Sequence, residues 1–242
     1  MCEFARDLYP ICRSITGEGV RETLRYMQGF VPLRICEVPS GERVLDWTVP
    51  QEWNISDGYV ARLNGERVID FKAHNLHVVN YSRPIKAVIG RAELLTHLHS
   101  LPSRPQWIPY RTTYYADQWG FCATDDVVKA MADDAYEVCI DATLSNGSLS
   151  YGELEIRGRS RSEVLIYSHV CHPSLANDNL SGLAVTVALA RYLSEAPRRL
   201  TYRFVWGPGT IGSITWLAQN AGNVSRIEHG LVAVLLGDAG KF

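Results

Sequence analysis

Ser168-His169-Val170-Cys171-His172-Pro173-Ser174-Leu175-Ala176-Asn177-Asp178-Asn179-Leu180-Ser181-Gly182 decides how this chain is read. Ahead of it, Val164-Leu165-Ile166 is an apolar run that reads as a buried strand, Glu163 to Ser168. Behind it, Leu183 to Leu193 carries apolar residues at helical spacing, predicting a helix over 180–195. Two imidazoles, a thiol and a carboxylate therefore lie in the loop between a strand's carboxyl end and a helix's amino end. Open α/β sheets hold ligands and metals at that position.

The same alternation continues downstream. Tyr202 to Trp206 predicts a strand, Gly212 to Asn220 a helix and Leu231 to Leu236 a third strand. Strands alternating with helices imply a sheet with parallel pairs and crossover connections. Upstream, Phe4, Leu8 and Ile11 share a helix face interrupted at Pro10, and Val20, Leu24 and Met27 share another. Val31 to Val38 alternates enough for a strand. Composition changes after Pro39-Ser40-Gly41-Glu42. From Val44 to about Ser150 the chain is rich in Trp, Tyr and Val between short turn signals. Tyr59 to Leu63, Asn64-Gly65 and Arg67 to Phe71 form a hairpin pattern. Leu76 to Tyr81 and Tyr136 to Asp141 read as further strands, and Ala92 to His99 as a short helix. The expected organisation is an α/β domain over 1–43 and 151–242, interrupted by a β-rich inserted domain over 44–150.

The chain has 242 residues, 46% hydrophobic and 21% charged, enough for a sizeable core. A net charge of -2 gives no reason to expect nucleic acid or an anionic membrane as partner. No apolar run approaches the roughly 18 residues of a membrane span, and the N-terminal residues show no apolar signal core. Six cysteines without a CxxC pair read as reduced thiols. The expected location is cytoplasmic, and the Asn-X-Ser matches at Asn54, Asn80, Asn146, Asn179 and Asn223 are then fortuitous.

His169 and Asp178 are the first candidates for metal ligands, since neutral imidazole and carboxylate both suit zinc. Each has a plainer role available: a hydrogen-bonded histidine at a strand end, and an aspartate capping a helix. His172 competes with His169 as ligand or orients it. Cys171 is a candidate ligand or nucleophile, but a sequence neighbour rarely serves as its base, so a buried inert thiol is the simpler reading. Asp238, in Leu236-Gly237-Asp238-Ala239-Gly240, ends the third predicted strand and can converge on His169 from the same sheet edge, or serve as a turn aspartate. The loop Gly207 to Ser213 reaches that edge too and contains no acid.

Three stretches carry a family resemblance: Leu8-Tyr9-Pro10-Ile11-Cys12-Arg13-Ser14-Ile15-Thr16-Gly17, His169 to Gly182, and Pro208-Gly209-Thr210-Ile211-Gly212-Ser213. The chain resembles the aminopeptidase-like domain of unknown function found in bacterial proteins linked to polysaccharide biosynthesis. That group is similar to the zinc-dependent exopeptidases of the secreted-aminopeptidase type. The resemblance runs nearly the whole length and implies a three-layer α/β core with a mixed, mostly parallel sheet and a β-rich insert. It implies zinc, one or two ions, held by His169, Asp178 and Asp238, and metal-assisted hydrolysis of a peptide or amide. It also exposes two departures. The peptidases carry an acidic pair, a general base followed by a ligand, where this chain has Gly209 and Thr210, and an aspartate two residues after the histidine where it has Cys171. The family's last histidine ligand would fall beyond Phe242, so a C-terminally shortened chain is expected. The sequence assigns no general base. It leaves a metallo-aminopeptidase-like hydrolase beside a non-catalytic descendant that binds a peptide, an amino-sugar compound or a protein. A cysteine hydrolase using Cys171 is a distant third.

Overall fold

In the computed structural model, residues 1–114 and 116–240 are described, and the chain divides into two compact units. One comprises Met1–Glu52 and Ser145–Phe242, the other Trp53–Leu144. The chain thus passes between units at 52/53 and 144/145, where composition had put the changes at 43/44 and 150/151. The helices, in chain order, are α1 (Cys2–Leu8), α2 (Glu18–Gln28), α3 (Arg91–Thr96), α4 (Asp125–Ala130), α5 (Gly182–Ser194) and α6 (Ile211–Gln219). The strands are β1 (Arg34–Pro39), β2 (Arg43–Val44), β3 (Trp47–Thr48), β4 (Glu52–Ala61), β5 (Arg67–Asp70), β6 (Ile85–Gly90), β7 (Leu98–His99), β8 (Phe121–Cys122), β9 (Ala135–Ser145), β10 (Ser148–Ile156), β11 (Glu163–His169), β12 (Thr201–Gly207) and β13 (Ile227–Val232). No helix among the described residues is long and apolar enough to cross a membrane.

The first unit is built on a five-stranded sheet of order β1-β10-β12-β11-β13. It is mixed: β11 pairs in parallel with β12 and β13, whereas β10 is antiparallel to β1 and β12. Alternate residues face opposite sides of a strand, and the two sides here differ in chemistry. Leu154, Ile166, Phe204 and Trp206 face one side and pack with Phe4, Leu8, Leu24, Met27, Leu183 and Val187, which come from α1, α2 and α5. The other side carries Glu153, Glu163 and Arg203, all buried. Trp216 of α6 reaches that side, its indole Nε1 donating to Glu153 Oε1 at 3.3 Å. Helix α5 starts at Gly182 because the chain is pressed against β13's exit. A Cβ at Gly182 would lie 2.5 Å from the Ala233 carbonyl oxygen, so only glycine fits.

The second unit holds the four-stranded sheet β5-β4-β9-β6. The expected hairpin is present, with Tyr59 opposite Asp70 and Val60 opposite Ile69. Tyr136, Val138, Ile140 and Ala142 alternate into the core from β9. Trp53 Nε1 donates to the Ser82 carbonyl at 2.8 Å, satisfying a buried indole.

Two expected strands are corrected. Over Leu76–Tyr81 the backbone instead forms a short 3₁₀ turn, Asn75–His77, followed by single bridges at Val78 and Asn80. There the His74 ring accepts from Leu76 N at 3.2 Å, taking a donor that a ladder would need. The strand expected over 231–236 is instead Ile227–Val232. Its register on β11 ends with Val232 opposite Tyr167. Beyond Ala233, side chains replace the ladder: Asn179 Oδ1 accepts from Leu235 N at 3.3 Å and Ser181 Oγ from Leu236 N at 2.9 Å. The apolar run therefore turns rather than extends.

Candidate metal centre

Strand β11 ends at His169, opposite Gly207 of β12, so its imidazole emerges at the carboxyl edge of the parallel strands. The chain then runs through Cys171 and His172 into a wound turn, Ala176–Ser181, in which Asp178 (φ -112, ψ 88) leaves the helical region. The peptide between Asp178 and Asn179 is cis. This departs from the capping role available to Asp178 in sequence: α5 begins only at Gly182, and the carboxylate turns back toward the histidines. His169 Nε2 lies 2.7 Å from Asp178 Oδ1 and His172 Nε2 lies 3.4 Å from Asp178 Oδ2. The two imidazole rings are 4.6 Å apart between centroids. Among the described residues, His169, His172 and Asp178 form the one group whose ligand atoms all fall within 4.8 Å of one another.

Asp238 stands apart from that group. It is exposed, accepts from Asn177 Nδ2 at 3.2 Å and takes its own Gly240 N–H at 2.7 Å. The third member brought together with His169 and Asp178 is His172, weighed from sequence as a competitor of His169.

Three groups hold this loop, two of them missed in the sequence. The buried Arg13 guanidinium donates to the carbonyls of His172 (2.7 Å), Pro173 (3.0 Å) and Leu8 (2.7 Å). Burial pulls its pKa down to about 10, which leaves it a cation at neutral pH. Asn179 Nδ2 lies within 3.2 Å of the Ser168 hydroxyl and the His169 and Ala233 carbonyls, tying the strand end to the β13 exit. The only sequence signal for Arg13 was its place in the Leu8–Gly17 stretch; for Asn179 it was adjacency to Asp178. Cys171, already singled out, is the third. Its sulfur accepts from Gly209 N at 3.1 Å and lies 3.2 Å from His172 Nδ1. Burial pushes its pKa up to about 11, so it is a neutral thiol that orients the ring, and the nucleophile reading loses its thiolate.

The electrostatics suit a cation. A hydrogen bond from His169 holds the Asp178 carboxyl below the ordinary aspartate value, and burial pulls the His172 pKa down to about 4. At neutral pH the group is thus a carboxylate with a neutral His172, the protonation state a metal requires. Two imidazoles and a carboxylate with a fourth side open match a zinc site that takes a substrate. The open side is a cavity of about 510 Å³ lined by Leu165, Tyr167, Trp216, Leu217 and Val232 beside both histidines, with Gly209 and Thr210 at its rim. Tyr167 is fixed there by donating to the Pro208 carbonyl at 2.6 Å. Thr210 holds a left-handed backbone conformation (φ 58, ψ -63), a strained state for a β-branched residue.

The depressed His172 pKa has a testable consequence. Between about pH 4 and 6.5 the unfolded chain binds more protons at this position than the folded one, so stability falls as the pH drops. For the metal-free protein we expect a loss on the order of 1–3 kcal/mol from pH 7 to 4.5. Asp178 adds a loss of the same sign at still lower pH. Urea unfolding across this range should show a steeper decline for the parent than for His172→Gln; equal slopes would refute the assignment.

The chain is similar to known proteins over nearly its whole length. The profile of a family described as "Domain of unknown function (DUF4910)" matches residues 2–242. A Clostridium acetobutylicum protein named as a polysaccharide biosynthesis protein with an aminopeptidase-like domain is 50% identical over 234 residues, covering 97% of this chain and 54% of that protein. A crystal structure from the same organism, named as that of a peptidase, superposes with a TM-score of 0.97 at 49% identity, over 98% of this chain and 56% of that one. The chain therefore spans about half the length of these relatives. A zinc aminopeptidase from Bacillus subtilis shares the fold, with a TM-score of 0.60 at 11% identity over 97% of this chain and 69% of that one.

Proposed function

The chain belongs to the DUF4910 family, and on that premise we propose that it is a metal-dependent, aminopeptidase-like hydrolase domain acting on a peptide or amide bond. The observation that carries this reading is the convergence of His169, His172 and Asp178 within 4.8 Å beside a cavity of about 510 Å³. These three residues would hold one zinc ion. Bound zinc supplies Lewis acidity toward a carbonyl and activates water near neutral pH. Around it, Tyr167, Trp216, Leu217 and Val232 exclude water and receive an apolar portion of a peptide- or amide-containing small molecule. Cys171 holds the ring of His172 from its Nδ1 side. A link to polysaccharide biosynthesis rests on the name of the half-identical relative. Six cysteines without disulfides suit a reducing, cytoplasmic setting.

One observation favours a second reading, a ligand-binding descendant without turnover. The cavity wall offers Gly209 and Thr210 where a hydrolase needs a proton acceptor, and no carboxylate among the described residues lines the cavity. Zinc content of the purified chain, measured together with release from aminoacyl anilides, separates the two. We expect about one zinc per chain and slow, zinc-dependent release. His169→Ala and Asp178→Ala should each weaken zinc binding by about 10²-fold or more, since structural sites gain roughly 3 kcal/mol per ligand. Zinc with ligand binding but no release selects the second reading. A folded protein that retains no zinc overturns the hydrolase reading, and zinc-independent release abolished by Cys171→Ser overturns both.

A further inference from the structure

The edge of the sheet opposite the histidines carries a second cavity, of about 310 Å³, which the proposed hydrolase reading does not use. Its wall bears four arginines, Arg157, Arg159, Arg161 and Arg226, and two acids, Glu155 and Glu163. The acids are already matched. Glu163 receives Arg203 Nε at 2.6 Å, and Glu155 receives Arg203 Nη2 at 2.7 Å and Arg157 Nε at 2.6 Å. Arg159, Arg161 and Arg226 form no ion pair among the described residues. Three guanidinium groups thus line one cavity outside any ion pair among the described residues, in a chain whose net charge is -2.

The loop that carries them is built rather than loose. Arg159 N donates to the Arg198 carbonyl at 3.0 Å and Ser160 N to the Arg199 carbonyl at 2.8 Å. Gly158 N donates to Thr201 Oγ1 at 3.1 Å, and that hydroxyl donates to the Ser160 carbonyl at 2.9 Å. A Cβ at Gly158 would sit 2.2 Å from the Leu200 carbonyl oxygen, so glycine alone permits the close approach. Arg226 arrives from the residue before β13. The arginine stems therefore leave fixed backbone positions around the cavity, which reduces the entropy lost on binding an anion.

We propose that this cavity binds a small phosphorylated ligand through a diphosphate group. Guanidinium forks match phosphoryl oxygens in pairs. Three unmatched cations exceed the charge of about -1.5 to -2 on a single phosphate monoester, so two adjacent phosphoryl groups balance the site better than one. Strand β11 runs from Glu163 at this cavity to His169, roughly 20 Å away at the strand rise per residue, so the two sites can be tested apart.

Calorimetric titration of the intact chain with inorganic pyrophosphate tests the proposal, with orthophosphate and sulfate at matched ionic strength as comparison. We expect saturable binding of one pyrophosphate per chain, tighter than either single-group competitor and weakening as salt rises. Arg159→Ala with Arg161→Ala should weaken it at least about tenfold, Arg226→Ala less, and Arg6→Ala, on the exposed side of α1, not at all. Zinc content and unfolding midpoint should be unchanged in all of them. Absence of saturable binding, equal affinity for sulfate, or parent-like affinity in the double variant would overturn it.

Discussion

Replacing Gly209 with glutamate is expected to raise zinc-dependent release from aminoacyl anilides by about 10² to 10⁴-fold, the range a positioned general base supplies. The position can receive a side chain. A Cβ built on Gly209 would lie 3.6 Å from Cys171 Sγ and 3.9 Å from His169 Cβ, ordinary contact distances, and the backbone there is not in the left-handed region. The Gly209 N–H to sulfur contact involves only main chain on that side and survives the change. The neighbours are also compatible with a second carboxylate. Cys171 is a neutral thiol and His172 is uncharged at neutral pH, so neither repels it. In the zinc-loaded site the dipositive ion would outweigh the charge of Asp178 and keep the new carboxyl ionised, the form that accepts a proton at pH 7.

The pH profile provides a readout that a structural effect would not move. The Gly209→Glu variant should acquire an acid limb in kcat/KM that the parent and Gly209→Gln lack. Zinc content and unfolding midpoint guard against a folding defect. A Gly209→Glu variant with parent zinc content and parent rate would remove the base-deficiency argument, and with it the reason for setting a binding-only reading beside the hydrolase.

The chemistry of this site was legible in part because strand, loop and helix are local patterns. Val164–Ile166 and Leu183–Leu193 fixed where His169 and Asp178 had to emerge. What sequence could not supply was direction. Asp178 points back at two histidines because the backbone from 176 to 181 is wound but not helical, and no periodicity signals that. The end of β13 departs from the apolar pattern for a related reason. Asn179 and Ser181 side chains, more than fifty residues away in sequence, accept the amides of Leu235 and Leu236. Arg13 was invisible as a support of the loop for the same cause: its partners at His172 and Pro173 are non-local. Side-chain-to-backbone bonds across the fold override local apolarity, and only the folded chain displays them.

Arg203→Met is expected to cost about 3–5 kcal/mol of stability, the penalty for breaking a buried ion pair from one side. Arg203 sits on β12 with Glu155 opposite it on β10 and Leu165 opposite it on β11. Its side chain is 8% exposed, against 6% for Glu153 and 3% for Glu163. It donates to Glu153 Oε1 at 2.7 Å and to both oxygens of Glu163, at 2.6 and 3.1 Å. Without it, Glu153 keeps Arg34 at 2.7 Å and Trp216 at 3.3 Å, whereas Glu163 loses its bidentate partner. Glu163 is then a deeply buried carboxylate without its counter-charge, the arrangement that carries the cost. Urea unfolding at pH 7 measures the loss. Adding Glu163→Leu to Arg203→Met should recover more than half of the loss, because an apolar replacement of both partners leaves no buried charge unpaired. A single-variant loss below about 1 kcal/mol would show that the cluster stabilises the sheet no more than an exposed ion pair does.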